Sequence, residues 1–480
     1  MTLSHHDLTE AICDLLPDWL PHQRWYGAKQ QAILSVRPVR EAVLHDGGHD
    51  GPTLVHLVVS VETEGQLTDR HDDDGEASEQ QLYQLLVGLR RHIPERLDHA
   101  VIGAAGEGLV AYDGAHDTEL TAVLLWLIAH DEERAGLRFS REPGIEIDTG
   151  LTSRPILGEQ SNTSVIYGDQ YILKLFRKLQ LGVSADLELH RALRRVGSQH
   201  IAEPFGAIEG ELDGQPVSFG ILQRFFANCA DGWRMAVTSV RDLIAEPDLR
   251  PEEAGADFAG ESERLGRAVA AIHGDLAEAL GTGLVPTEQV HTVAARMTER
   301  LEAMVRRVPA LGAYADAIRD VFDEVGKLAE PVPTQRIHGD LHLGQCLRTV
   351  YDWVVIDFEG EPSRPLADRI AMMSPLRDVA GMLRSFDYAA YHLLADQCPP
   401  ESEAAAAQRE YRALEWADRN REAFCAGYAE IGPDPRAFPV LLRALELEKA
   451  VYEVGYEYDN RPSWIDVPLR SIARLAQPAS

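Results

Sequence analysis

Two hydrophobic rhythms divide the chain. Up to about residue 222 the apolar positions come in short runs: 54–61, 82–87, 120–128, 164–167 and 171–176. Runs of that length, rich in β-branched and aromatic residues and bounded by Gly, Asn and Asp, predict strands. The first two are separated by EGQLTDRHDDDGEASEQ, which carries too little apolar surface to order itself and predicts a long mobile hairpin loop. Past Phe225 the period lengthens, and apolar residues recur at i, i+3 and i+4. Helices are predicted from Asp242 onward and over 257–280, 287–308, 374–394, 401–431 and 438–458. Another helix fits between Ser184 as N-cap and Gly197 as its stop, and a short one opens the chain through Leu16. One β-rich island, TVYDWVVIDFEGEP, interrupts the helical part. The pattern predicts an α+β protein: a smaller sheet-containing lobe, then a larger helical one.

Composition narrows the function. A chain of 480 residues predicts two to four domains at roughly 100–200 residues each. Its 26% charged and 45% apolar residues are those of a folded globular protein. A formal charge of −31 repels nucleic acid and anionic lipid, so no nucleic-acid partner and no membrane partner is expected. Only five of the 46 basic residues are lysine (Lys29, Lys174, Lys178, Lys327, Lys449), so each retained lysine is a question. The five cysteines are scattered, without a CxxC pair, which suits a reducing compartment and excludes a zinc ribbon. The longest apolar run, 122–129, is far short of the ~20 residues that span a bilayer, and no basic n-region opens the chain. A cytoplasmic location is expected.

The densest polar cluster is TQRIHGDLHLGQCLR, residues 334–348, with Asp357 following on an apolar strand 17 residues after Asp340. Two His and two Asp suggest a metal hydrolase, but glycines at 339 and 344 argue against the helix that an HExxH-type site needs. The order His-x-Asp, an amide five residues after that Asp, then a strand ending in Asp resembles the core of phosphotransferases with protein-kinase architecture. Asp340 then receives the hydroxyl proton, while Gln345 and Asp357 hold Mg²⁺, a hard cation that takes oxygen donors only. Glu359 projects from the same face as Asp357 if the strand continues, as a further metal ligand.

The same reading requires a strand lysine and a turn over the nucleotide phosphates. Lys174 in YILKLF is an isolated charge in apolar company, where a compact ammonium fits a phosphate contact. The turn before it, GEQSNTSVIYG, is neither GxxxxGK[ST] nor GxGxxG. Gln160, Ser161, Asn162 and Thr163 offer donors to phosphates there, or simply form a β-turn. Glu188, fourteen residues after Lys174, is placed to orient it. GILQRFFANCADGW, residues 220–233, fits a hinge facing adenine. Because MgATP is itself an anion, the acidic chain needs local positive charge, which Lys174, Arg177 and Lys178 would supply.

These segments, with WLPHQRWYGAK, EQSNTSVIY, DLELHRAL, SPLRDVAGMLRSFDYAAY and YEVGYEYDNRPSWIDVPLRSIARL, resemble the maltokinases over nearly the whole chain. The resemblance implies a bilobal protein-kinase-like, aminoglycoside-phosphotransferase-like fold. It implies an N-terminal cap over residues 1–95, a β-rich subdomain over 96–222 and a helical C-lobe over 223–480. It implies ATP as phosphoryl donor, Mg²⁺ as cofactor, maltose as acceptor at its anomeric hydroxyl, α-glucan (glycogen) synthesis as the destination of the product, and trehalose synthase as a possible partner. The acceptor residues lie mainly on the last long helix. There Leu447, Ala450, Val451, Val454 and Tyr458 form an apolar stripe, with Lys449, Glu453, Tyr456 and Asn460 opposite. Spacing alone favours a solvated face; the resemblance favours sugar binding by Lys449, Glu453, Tyr456 and Glu457, with His338 added from the catalytic segment. Arg24, Trp25, Tyr26 and Lys29 fit either a ligand contact or docking of the cap. Two alternatives remain: a kinase of this fold acting on glucosamine or an aminoglycoside, and an inactive kinase fold that senses nucleotide or acts as a scaffold.

Overall fold

The computed structural model describes residues 5–29, 31–48, 51–64, 81–156, 161–246, 250, 251, 253, 257–361, 364–396 and 402–477. The hairpin loop expected to be mobile falls almost wholly in 65–80, outside the described residues, as does Gln160. The chain forms two units: Met1–Glu188 with Glu203–Ala227, and Leu189–Ala202 with Asn228–Ser480. The last boundary between them, at 227/228, falls within the segment 220–233 read as a hinge.

The first unit begins with α1 (His5–Trp19) and an antiparallel sheet of β1 (Ile33–His45), β2 (Thr53–Thr63), β3 (Gln81–Arg90), β4 (Val101–Gly106) and β5 (Leu109–Asp113), in the order β1-β2-β3-β5-β4. The sheet runs past residue 95, where the cap was expected to end. β2 is apolar almost throughout because both of its faces are covered. Val55, Leu57, Val59 and Val61 pack with Ile12 and Leu16 of α1, while Leu54 and Val58 pack with Leu120 and Leu124. Trp25 and Tyr26 are buried in the α1 core, so that aromatic pair packs within the cap itself.

Leu120 and Leu124 belong to a helix, α2 (Thr118–Ala129), where residues 120–128 were expected to form a strand. A continuous apolar run shows no period, and Asp117 decides the matter. Its carboxylate caps the helix by accepting from the Glu119 N–H at 3.1 Å.

The second sheet has β6 (Glu133–Arg134), β7 (Leu137–Arg141), β8 (Ser153–Pro155), β9 (Asn162–Tyr167), β10 (Tyr171–Phe176), β12 (Pro204–Leu212) and β13 (Gln215–Arg224), ordered β6-β7-β12-β13-β10-β9-β8. Immediately after β10, the two-residue β11 (Lys178–Leu179) leaves this sheet and pairs with β3. The junction is held from inside. Gln84 donates to the carbonyls of Phe176 (2.8 Å) and Phe219 (2.6 Å) and accepts from His56, whose ring burial pushes down to about 4.

The second unit contains α4 (Gly232–Ala245), α5 (Ala259–Leu280), α6 (Thr287–Arg307), α7 (Ala315–Val325), the one-turn α8 (Leu366–Arg369), α9 (Leu376–Asp396), α10 (Glu403–Ala429), α11 (Pro439–Asn460) and α12 (Asp466–Leu475) around one core; α3 (Ala185–Arg195) enters it from Leu189. α4 ends at Ala245 rather than starting at Asp242, because Asp231 caps it through the Arg234 N–H at 2.8 Å. Small antiparallel sheets, β15 (Thr282–Val285) with β16 (Val332–Gln335), and β14 (Ala230–Asp231) with β17 (Cys346–Arg348) and β18 (Trp353–Val355), flank the polar cluster.

Candidate active site

The segment between β16 and β17 is irregular, and its backbone is held by one buried side chain. Asp378, near the start of α9, accepts from the His338 N–H at 2.7 Å, the Gly339 N–H at 2.8 Å and the His273 ring at 3.1 Å. Gly339 sits at φ +85°, a left-handed conformation that other residues adopt only at a cost. His338 accepts from the Asp340 N–H through Nδ1 (3.2 Å) and donates from Nε2 to the Ile356 carbonyl (3.0 Å), which fixes its tautomer.

This folding presents Asp340 to a cavity of about 810 Å³, lined also by His342, Lys449 and Glu453. Lys449 Nζ lies 3.0 Å from Asp340 Oδ1. Burial pushes the Asp340 carboxyl up, but Lys449, His342 and His338 outweigh it, so the group stays below the ordinary carboxylate range. The opposite balance holds for Lys449, where Asp340, Glu361 and Glu453 overcome burial and keep the ammonium charged.

The other carboxylates on this cavity also have cations of their own. Glu453 receives two guanidinium nitrogens of Arg384, at 3.0 and 2.6 Å. Glu457 is held by Arg461 (2.7 and 3.0 Å) and the Tyr388 hydroxyl (3.2 Å), and Asp459 by Arg307. Aromatic rings complete the wall: Trp233, Tyr388, Tyr452, Tyr456 and Trp464.

Gln345 and Asp357 meet beside this loop, the amide Nε2 lying 3.1 Å from Asp357 Oδ2. β18 stops at Val355, and Asp357 takes a left-handed turn at φ +68°, so Glu359 is placed by that turn and not by a continued strand as the sequence suggested. Oxygens of the Asp357 and Glu359 carboxylates lie within 4.8 Å of each other. Two carboxylates and an amide are an all-oxygen donor set, which fits Mg²⁺.

Residues 152–397 match the model of the phosphotransferase enzyme family, and residues 19–117 that of the maltokinase N-terminal cap domain. The chain belongs to the phosphotransferase enzyme family. This phosphotransferase is 31% identical over 335 residues to a glucosamine kinase of Streptacidiphilus jiangxiensis, covering 67% of this chain and 73% of that one. A glucosamine kinase of Mycolicibacterium smegmatis is 28% identical over 335 residues, covering 68% and 80%. Among solved structures, a glucosamine kinase in complex with glucosamine, ADP and inorganic phosphate shares the fold at TM-score 0.67 and 23% identity, covering 99% of this chain and 100% of that one.

Several residues of the phosphotransferase stand differently from the sequence reading. His338, expected to touch substrate, is 3% exposed with both ring nitrogens engaged internally and its ring against Phe358, so it shapes the loop instead. Asn162 and Thr163 were read as part of a phosphate turn but belong to β9, and the Thr163 hydroxyl accepts from Arg177 at 2.7 Å. Ser161 is exposed just ahead of that strand. Arg177 is 1% exposed, paired with Asp113 at 2.5 Å and set over the Trp25 ring, so its charge is consumed inside the first unit. Lys174, on β10, is ion-paired at 3.3 Å with Asp186, one residue into α3 and two before Glu188. On α11, Leu447, Ala450, Val451 and Val454 are buried as expected, whereas Tyr458 in the last turn is 47% exposed.

Asp378, Asp186 and Arg384 were missed. Each is an acid or base inside a predicted helix, and nothing in the helical spacing separates a buried, partnered charge from a solvated one. The available signal was local: Asp378 and Arg384 sit in LRDVAGMLRSFDYAAY, a stretch too apolar to leave its charges in water.

Proposed function

We propose that the phosphotransferase is an ATP-dependent kinase of maltose acting at the anomeric hydroxyl. The observation that carries this is the charge balance of the acceptor cavity. Asp340, Glu453, Glu457 and Asp459 each already have a cationic partner within the protein. A cationic amino sugar gains most from an uncompensated carboxylate, whereas a neutral sugar is served by paired donors and acceptors with aromatic faces for its C–H surface. The match to the maltokinase cap family points the same way. The names of the relatives favour glucosamine, which is the second reading.

In the proposed reaction the sugar O1 attacks the γ-phosphorus, the bond from γ-phosphorus to the bridging oxygen breaks, and ADP leaves. The O1 proton passes to Asp340. A base kept below the ordinary carboxylate range is ionised at neutral pH and takes the proton late, when phosphoryl transfer is advanced. Gln345, Asp357 and Glu359 would hold Mg²⁺, which when bound supplies positive charge against the phosphate oxygens. Lys174, held by Asp186 with Glu188 on the same helix, would meet the α- and β-phosphates, Ser161 and Gln160 lie in the segment that would cover them, and Lys449, Glu453, Tyr456 and Glu457 would bind the sugar. The product would enter α-glucan synthesis, with trehalose synthase as a candidate partner and a cytoplasmic location; no helix among the described residues is long and apolar enough to cross a membrane.

Incubation with ATP, Mg²⁺ and a sugar panel, read by phosphorus NMR, is expected to give an anomeric phosphate from maltose. Phosphorylation of glucosamine with maltose untouched would replace the first reading with the second. The pairing of Lys449 with Asp340 makes a separate prediction. Removing the cation in Lys449→Met takes away the strongest of the groups that oppose burial, so the Asp340 carboxyl rises and the acid limb of the kcat/KM profile moves to higher pH. A limb that stays in place would show that Lys449 does not control the base.

A further inference from the structure

The helical unit holds a second cavity, of about 280 Å³, that shares no lining residue with the acceptor cavity. Its floor is aliphatic, made by Val293 and Met297 of α6, Val325 of α7, Val332 of β16, and Leu441 and Leu445 of α11. Its rim is basic. Arg296, Arg300, Arg364 and Arg377 face it against only two acids, Asp368 and Glu448. In a chain of formal charge −31 a wall with a positive surplus is a local inversion, and low-dielectric sides concentrate such a field.

Three of the arginines are anchored. Glu448 is buried and takes Arg300 at 2.5 Å on one oxygen and Arg377 at 2.7 Å on the other, while Arg364 pairs with Glu361 at 2.7 Å. The Arg296 side chain, on the exposed side of α6, has no hydrogen bond or ion pair among the described residues. The anchored guanidiniums are therefore fixed at the mouth, and Arg296 stands beside them with its donors open. A sugar is a poor occupant. The acceptor cavity offers five aromatic rings for a C–H face, and this one has none. Bare phosphate would use the rim but leave the aliphatic floor wet. The volume is near the lower end of the roughly 300–1,000 Å³ of small-molecule sites.

We infer that this cavity is a binding site for a small carboxylate with an aliphatic body, the tail on the valine, methionine and leucine floor and the carboxylate at the arginine rim. The site is independent of the acceptor assignment. Glu448, which holds Arg300 and Arg377, directly precedes Lys449, the partner of Asp340.

Octanoate tests the inference by isothermal titration calorimetry on the full chain, with octan-1-ol and inorganic phosphate as the other arms. Saturable one-site binding of octanoate is expected, at least about tenfold tighter than octanol, with no heat from phosphate. Arg296→Glu reverses an exposed, unpartnered charge, and Ala371→Phe obstructs the mouth from an exposed position. Each should weaken octanoate about tenfold or more and leave the thermal midpoint of the free protein unchanged. Equal binding of octanol would overturn the anion requirement, and equal binding of phosphate the aliphatic one. Failure of octanoate to saturate, or unweakened binding by Arg296→Glu, would remove the site.

Discussion

Asp340→Asn is expected to lower kcat by about 10²–10⁴-fold while the protein remains folded and still binds both substrates. The amide is the same size as the carboxylate and can still take a hydrogen bond from Lys449, so the 3.0 Å contact loses charge but not its geometry. What the amide cannot do is receive the proton of the attacking hydroxyl. The loss should therefore appear in kcat, with the acceptor KM changing little, as for an interaction made only in the transition state. The side effect has a known sign. Lys449 is left with Glu361 and Glu453 as its acidic neighbours, so its ammonium becomes less strongly held and the variant somewhat less stable. Single-turnover rates and thermal unfolding, measured on the same preparation, separate these effects. A kcat within tenfold of the parent would remove Asp340 from the chemistry.

The parts of this site that the sequence made legible are those whose chemistry lies along the chain. His338, Asp340, Gln345 and Asp357 are close together in order, and loop and strand bring them into one neighbourhood. β10 was readable residue for residue, because YILKLF is bounded by turn residues and flanked by partners of matching length. The long helices were readable because their apolar stripes are wide. The errors arise where periodicity carries no information. In TELTAVLLWLIA every face is apolar, so helix and strand predict the same string and only the Asp117 cap distinguishes them. Charge is the other blind spot. Arg177 follows Lys174 by three residues and looks equally suited to a phosphate, yet it is sealed against Asp113 and Trp25 while Lys174 stays partly open. Asp113 and Trp25 are distant from Arg177 in sequence, one on β5 and one before β1. Burial of a charge is decided by such long-range contacts, which a one-dimensional pattern does not contain.

Asp378→Asn should disable the same loop from beneath. The carboxylate gives one oxygen to the Gly339 N–H and the other to both the His338 N–H and the His273 ring. An amide of identical shape has one oxygen and an NH₂, so at least one backbone N–H of the loop would face a donor. Removing one member of a fully buried, charge-assisted set costs roughly 3–5 kcal/mol, a large part of the stability of most domains. The loop is the carrier of Asp340, and a displacement of about 1 Å at a reacting group can cost 10²-fold in rate. The expected result is a lower thermal midpoint together with a fall in kcat of about that size. The pH dependence separates this from a general loss of packing. Burial pushes the Asp378 carboxyl up, but His273, His338 and the Gly339 N–H overcome it and hold it below its ordinary value. A carboxyl depressed on folding contributes stability above its unfolded value, and that contribution is lost as pH falls through the folded value. The parent should therefore lose on acidification a stabilisation that Asp378→Asn never had, and the gap between their midpoints should narrow as pH falls. A gap that stays constant with pH would mean that Asp378 supports the loop by shape alone, and an unchanged kcat would mean that the loop does not need it to place Asp340.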